Sequence, residues 1–173
     1  MKRHIVIFIV VVVALLGLFI LYKNVFLKDD YKNISYNIEN INIKLKDGLA
    51  KTEVATDSSA KMTTMYFGNE AKGDLNGDGK EDIVFLLTQN NGGSGTFYYV
   101  VAAIKTSKGY VGTNAIFLGD RIAPQSTEIL NGLIAVNYAQ REINEPMTTP
   151  PSIGVSKYLK IVENSLIEVS NPN

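Results

Sequence analysis

The sequence predicts a mainly β protein: one N-terminal transmembrane helix followed by an antiparallel β-sandwich or partly open barrel. Three observations carry that expectation. An uncharged apolar run fills residues 5–22; short β-type runs fill most of the remainder; turn residues separate those runs at intervals of about eight to twelve residues. After residue 33 no stretch shows an apolar period of 3.6, so no further amphipathic helix is expected.

Residues 5–22 read IVIFIVVVVALLGLFILY, 18 residues without a charge. As a helix rising about 1.5 Å per residue they extend roughly 27 Å, close to one hydrocarbon core. Lys2 and Arg3 precede the run; Lys23 and Lys28 follow, with Asp29 and Asp30 close behind. That bias puts the N-terminus in the cytoplasm and the rest outside. The rival reading is a cleaved signal peptide. It needs small residues at a cleavage site, and YKNVFLKDD at 22–30 has none. The apolar core is also longer than the ~7–15 residues of a signal peptide. The expected organisation is a cytoplasmic stub and anchor over 1–22, a stalk over 23–33 and an extracytoplasmic β domain over 34–173.

Each element of the outer part has its own warrant. Tyr36 and Ile38, then Ile41, Ile43 and Leu45, alternate with polar residues as half-buried strands do. Asp47-Gly48 is a hairpin signal. Small polar residues at 55–60 predict a loop, and 61–67 another strand. The runs at 83–88 and 96–104 are continuously apolar and rich in β-branched and aromatic residues, so each is expected to be buried on both faces. Ser107-Lys108-Gly109 marks a turn before a strand at 114–118. Asn131-Gly132 divides 128–130 from the alternating Ile134, Val136 and Tyr138. Strands at 156–162 and 166–169 flank Glu163-Asn164-Ser165.

Composition excludes several chemistries. The chain balances 17 Lys and Arg against 17 Asp and Glu; without Lys2 and Arg3, residues 23–173 carry 15 basic and 17 acidic side chains, a net of −2. Nucleic acid and anionic lipid are therefore not expected partners. Cysteine is absent and the single histidine is His4, before the apolar run. Disulfides, thiol nucleophiles, Cys-ligated zinc and His-dependent triads are thus excluded from the outer part.

One stretch carries metal chemistry. Gly73-Asp74-Leu75-Asn76-Gly77-Asp78-Gly79-Lys80-Glu81-Asp82 has the pattern D-x-N-x-D-G-x-x-D. Hard cations such as calcium take about six to eight oxygens. Alternate positions of a tight loop point inward, so Asp74, Asn76 and Asp78 can converge. Gly79 permits the sharp turn; the backbone carbonyl of Lys80 then faces the ion, and Asp82 closes the far side. Loop position 12, a bidentate Glu in an EF-hand, is Phe85 here. The competing account is a turn whose Asp and Asn side chains cap their own backbone.

The loop resembles the calcium loops of FG-GAP (integrin-type) repeats, which also run directly into a strand. A wider resemblance covers residues 66–161, through YFGNEAKGDLNGDGKEDIVFLLTQNNGGSGTFYYVVAAI, GTNAIFLGDRIAPQ and PMTTPPSIGVSKYLKI. Together these look like an uncharacterised exported bacterial envelope domain, which occurs in membrane-anchored or lipoprotein form. The resemblance implies no activity. The Cys of the lipoprotein forms is missing here, which leaves the apolar helix as the anchor.

The remaining candidates concern binding. The glycine-rich stretch at 90–95 offers Asn90, Asn91 and Ser94; a strand follows it, so it lacks the helix N-terminus that a phosphate cradle needs. Phe97, Tyr98 and Tyr99 put aromatic side chains on both faces of that strand, and Tyr98 or Tyr99 can present a contact. Arg121 follows Asp120, as in a structural pair or an anion site. The stiff Pro-rich segment at 145–151 reads as a connection. The expected function is a membrane-anchored envelope module that binds an envelope protein or glycan near loop 90–95, with a structural calcium ion. The alternatives are a hydrolase using carboxylates such as Glu70, Glu81, Glu128 or Glu145, which no spacing pairs, and a purely structural stalk domain.

Overall fold

Two neighbouring strands organise the β domain. β5 (Asp82–Asn90) and β6 (Phe97–Thr106) are the continuously apolar runs of the sequence, and both are buried on both faces over most of their length. The other ten strands among the described residues are β1 (Ser35–Ile38), β2 (Ile41–Lys44), β3 (Leu49–Glu53), β4 (Lys61–Gly73), β7 (Gly109–Gly112), β8 (Ile116–Asp120), β9 (Ala123–Leu130), β10 (Leu133–Gln140), β11 (Ile153–Val162) and β12 (Ser165–Val169). This computed structural model describes residues 11–18, 30–53 and 61–171. The chain divides into two units, Met1–Asp30 and Tyr31–Asn173.

In the first unit residues 11–18 are helical. Among the described residues no helix is long and apolar enough to cross a membrane. The rest of the apolar run, at 5–10 and 19–22, lies outside the described residues, as do stalk positions 23–29 and the loop expected at 55–60.

The second unit is antiparallel β, as expected. β4, β5 and β6 form the middle of a six-stranded sheet in the order β3-β4-β5-β6-β7. β7 and β8 share the free edge of β6, β7 opposite Ala103–Thr106 and β8 opposite Phe97–Val100. A second sheet has the order β12-β11-β10-β9. β1 and β2 form a separate two-stranded sheet.

Successive strand residues point to opposite faces, so the central sheet serves two cores. On one face Val84, Leu86, Val100, Ala102 and Ile104 pack against Ile134, Val136, Tyr138, Leu159 and Leu166 of the four-stranded sheet. On the other, Ile83, Phe85, Leu87, Val101 and Ala103 pack under the β1–β2 hairpin, against Tyr36, Ile38, Ile43 and Leu45. The hairpin is therefore a smaller layer on the side of the central sheet away from the four-stranded sheet. The hairpin docks by backbone bonds as well: Asn37 N donates to Thr113 O at 3.1 Å and Ala115 N to Asn37 O at 2.7 Å. Gly112 makes this approach possible, because a Cβ there would stand 2.2 Å from the Ser35 carbonyl oxygen.

Several expected boundaries shift; the strands expected at 128–130 and 156–162 begin earlier, at Ala123 and Ile153. Tyr31–Asn33, placed in the stalk by the sequence, form a 3-10 turn, and Tyr31 packs on Phe85 with ring centroids 5.4 Å apart. The strand expected at 61–67 continues to Gly73 through register shifts between Tyr66 and Ala71, where Gly68 and Asn69 take positive φ; bulges let a strand outlast its simple alternation. The strand expected at 114–118 begins at Ile116. The turns match: Asp47-Gly48, Asn131-Gly132 and Glu163-Asn164 all lie at positive φ.

Candidate functional site

The acidic loop connects β4 to β5, at the opposite end of β5 from the glycine-rich loop. Its side chains are turned onto backbone amides. Asp74 Oδ1 accepts from Gly77 N at 2.8 Å and more loosely from Asn76 N and Asp78 N; its Oδ2 accepts from Gly79 N at 2.8 Å. Asn76 Oδ1 accepts from Asp78 N at 3.0 Å, and Asp78 Oδ1 from Lys80 N at 2.9 Å. The Lys80 ammonium sits 2.6 Å from Asp78 Oδ2. These donors shift both loop carboxyls: the Gly79 amide foremost holds Asp74 below its ordinary pKa, and the Lys80 side chain does the same for Asp78.

Asp82 is different. It is fully buried, with Oδ2 accepting from Leu75 N at 2.9 Å and Oδ1 from Lys105 N at 2.7 Å. Burial raises its pKa against the two amides, and the charges of Asp78 and Asp74 push the same way. Asp82 therefore staples the loop to the end of β6. The side-chain chemistry of the loop is the hard-oxygen set that calcium takes; its arrangement is a run of Asx turns. Among the described residues no three acidic or His side chains gather as a metal cage.

At the other end of β5, Asn90 organises its own loop. Its Nδ2 donates to Gly95 O at 2.9 Å and its Oδ1 accepts from Gly92 N at 2.7 Å. Asn91 continues past it into a cleft of about 270 Å³. Phe97, Tyr99 and Phe117 form the aromatic wall, with Phe117 ring centroids 6.4 Å from Phe97 and 5.3 Å from Tyr99. Glu39, Met62 and Gln89 supply the rest.

The cleft follows from a mismatch of lengths. Gln89 and Phe97 are register partners on the hairpin-covered face of the central sheet. The hairpin strands are four residues each, and their turn, Glu39-Asn40, reaches only as far as Tyr99, whose hydroxyl donates to Glu39 Oε1 at 2.8 Å. Phe97 and Gln89 lie one alternation further and stay at the edge of the cover. Burial, and then that bond to Glu39, raise the Tyr99 pKa. Gln89, itself buried, is held by its donation to Thr64 Oγ1 at 3.0 Å.

Of the binding residues expected from sequence, Asn91 and Tyr99 meet at this cleft. Ser94 is exposed on the loop but does not line it. Tyr98 points to the opposite face and packs edge-on against Phe67. Arg121 is committed to Asp120, with Nη2 2.7 Å from Oδ2, and Asp120 Oδ1 also accepts from Thr96 N at 2.8 Å. The Arg121 side chain accordingly lowers the Asp120 pKa. This is the geometry of a structural pair. Beside it a smaller cleft of about 230 Å³ includes Asp120, Arg141 and Glu142. Arg141 there donates to the carbonyls of Arg121, at 2.8 Å, and Thr149, which pins the Pro-rich connection.

Glu39, Met62, Gln89 and Phe117 were not foreseen. A local signal existed for one of them: Glu39-Asn40 falls between two alternating runs, as a two-residue hairpin turn does. The glutamates considered for hydrolysis have separate employments. Glu70 accepts from the hydroxyls of Tyr31 and Tyr66, Glu128 from Ser126, and Glu145 from the Glu142 amide. Glu81 faces Lys72 at 3.8 Å. No family model, curated protein or solved structure matches the chain.

Proposed function

We propose that the chain is a membrane-anchored module of the cell envelope whose β domain stands outside the cytoplasm and binds a partner through the cleft beside loop 90–95. The cleft carries the reading. An aromatic wall, a carboxylate and an amide converge in a concavity whose base is fixed by two strands buried over most of their length, and binding groups concentrate where loops sit on such a scaffold. The anchor is supported by the 18-residue uncharged run with basic residues before it. A photo-crosslinking residue at Asn91 in intact cells is expected to trap an envelope component, whereas one at Lys160, on the four-stranded sheet, is not. Equal capture at both positions, or capture of cytoplasmic proteins only, overturns the proposal.

A structural calcium ion in the acidic loop, as in the FG-GAP-like and envelope-domain resemblance, is part of the same proposal. The hard-oxygen spacing supports it, and so does the mutual repulsion of Asp74, Asp78 and Asp82 that a dication relieves. Such loops in extracellular modules bind weakly, with Kd of about 10⁻⁴–10⁻³ M. At tenfold excess over Kd, calcium is expected to stabilise the domain by about 1.4 kcal/mol, seen as a higher melting temperature that a chelator reverses. Melting indifferent to millimolar calcium leaves the loop as Asx turns alone.

A further inference from the structure

We infer that the cleft takes an organic ammonium ion, a reading that rests on the cleft being the binding site. Three features point to a cation. The wall is aromatic, and ring faces carry the negative end of the quadrupole. Among the described residues Glu39 is the one charged side chain lining the cleft, and it forms no ion pair with any of them. The Tyr99 hydroxyl holds one Glu39 oxygen against the aromatic wall and leaves the other without a hydrogen-bond donor among the described residues.

The backbone adds a second observation. Glu39 sits at φ +50° and Asn40 at φ +67°, the pattern of a type I′ turn. That turn delivers the Glu39 carboxylate to the aromatic wall. A neutral sugar would use the rings without calling on an unpaired charge, and an anion would be repelled. At about 270 Å³ the cleft holds a head group or one side chain, below the ~300–1,000 Å³ of sites for whole small molecules.

The bound group places its N-methyl or methylene carbons on Phe97 and Phe117 and its charge toward Glu39. The ammonium belongs either to a free amine or to a lysine side chain, and the two are separable. The full chain in polyoxyethylene detergent micelles is titrated with choline, with N-acetyl-lysine amide and with 3,3-dimethylbutan-1-ol, the uncharged isostere of choline. The readout is NMR shifts at Asn91, Phe97 and Phe117. Saturable shifts are expected with a cation and not with the isostere, the tighter cation identifying the source. Glu39→Gln, which keeps an acceptor for the Tyr99 hydroxyl, is expected to weaken cation binding about tenfold, and Phe117→Ala similarly. Equal response to the isostere, or full affinity in Glu39→Gln, overturns the ammonium assignment. Chitotriose shifting the same resonances independently of Glu39 would retain the cleft as a binding site but replace the ligand class. Silence to all four probes removes both readings.

Discussion

Phe85→Ala is expected to destabilise the β domain by about 3–5 kcal/mol, the usual range for a fully buried phenylalanine. Phe85 has no exposed surface, and the rings of Tyr31, Tyr36 and Tyr66 each stand 5.4 Å from it. Those three residues come from the 3-10 turn, the hairpin and β4, so one side chain ties three elements to the central sheet. Their hydroxyls restrict collapse into the vacated space. Tyr36 donates to Tyr31 O at 2.7 Å, and Tyr31 and Tyr66 donate to Glu70. Those two donors, against the effect of burial, keep Glu70 below the ordinary carboxylate pKa and therefore charged. The melting temperature should fall by roughly 10–20 °C. Phe117→Ala is the control: a ring 47% exposed, whose loss is expected to cost only about 1 kcal/mol through its aromatic pairs. A loss at Phe85 as small as that at Phe117 would show that the aromatic cluster is not packed as described.

Asp82→Ala is expected to cost about 2–4 kcal/mol already in the absence of calcium. Alanine leaves the Leu75 and Lys105 amides without their acceptor, and an unsatisfied buried donor costs about 1–3 kcal/mol. Release of a buried carboxylate offsets part of that loss, since burial already disfavours its charge. Asp82→Asn retains one acceptor and should lose roughly half as much. Hydrogen exchange should accelerate at the Leu75 and Lys105 amides before the rest of β5 responds. Asp78→Ala, in contrast, removes contacts that are all exposed, and should leave the melting temperature without calcium nearly unchanged. If Asp82→Ala melts like the parent without calcium and differs only with it, Asp82 is an ion ligand and not a staple.

Asp82 also shows how far the sequence could be read. Its spacing from Asp74 marked it as the side chain that closes the far side of an ion; in the structure its oxygens accept from the Leu75 and Lys105 amides. Its partner across the loop, however, is the amide of Lys105, 23 residues away. The pairing of β5 with β6 creates that contact, and no local pattern announces it. Tyr98 and Tyr99 make the same point. Alternation showed that they face opposite ways, but only the layers decide that Tyr99 meets Glu39, 60 residues earlier, while Tyr98 meets Phe67.

The sequence by itself determined the β class, the two doubly buried central strands, most turns, the acidic loop at one end of β5 and the glycine-rich loop at the other. These are local matters. A side-chain period of two, the positive φ that Asn-Gly and Asp-Gly accept, and a run of β-branched residues act over a few positions. Only the tertiary structure decided which layer covers each face, and therefore where the cleft is. The β1–β2 hairpin is shorter than the strands it covers, so Phe97 at the start of β6 and Gln89 near the end of β5 stay at its edge beside Phe117 from β8. That outcome depends on sheet order and on the relative lengths of elements far apart in the chain, which no window of neighbouring residues contains.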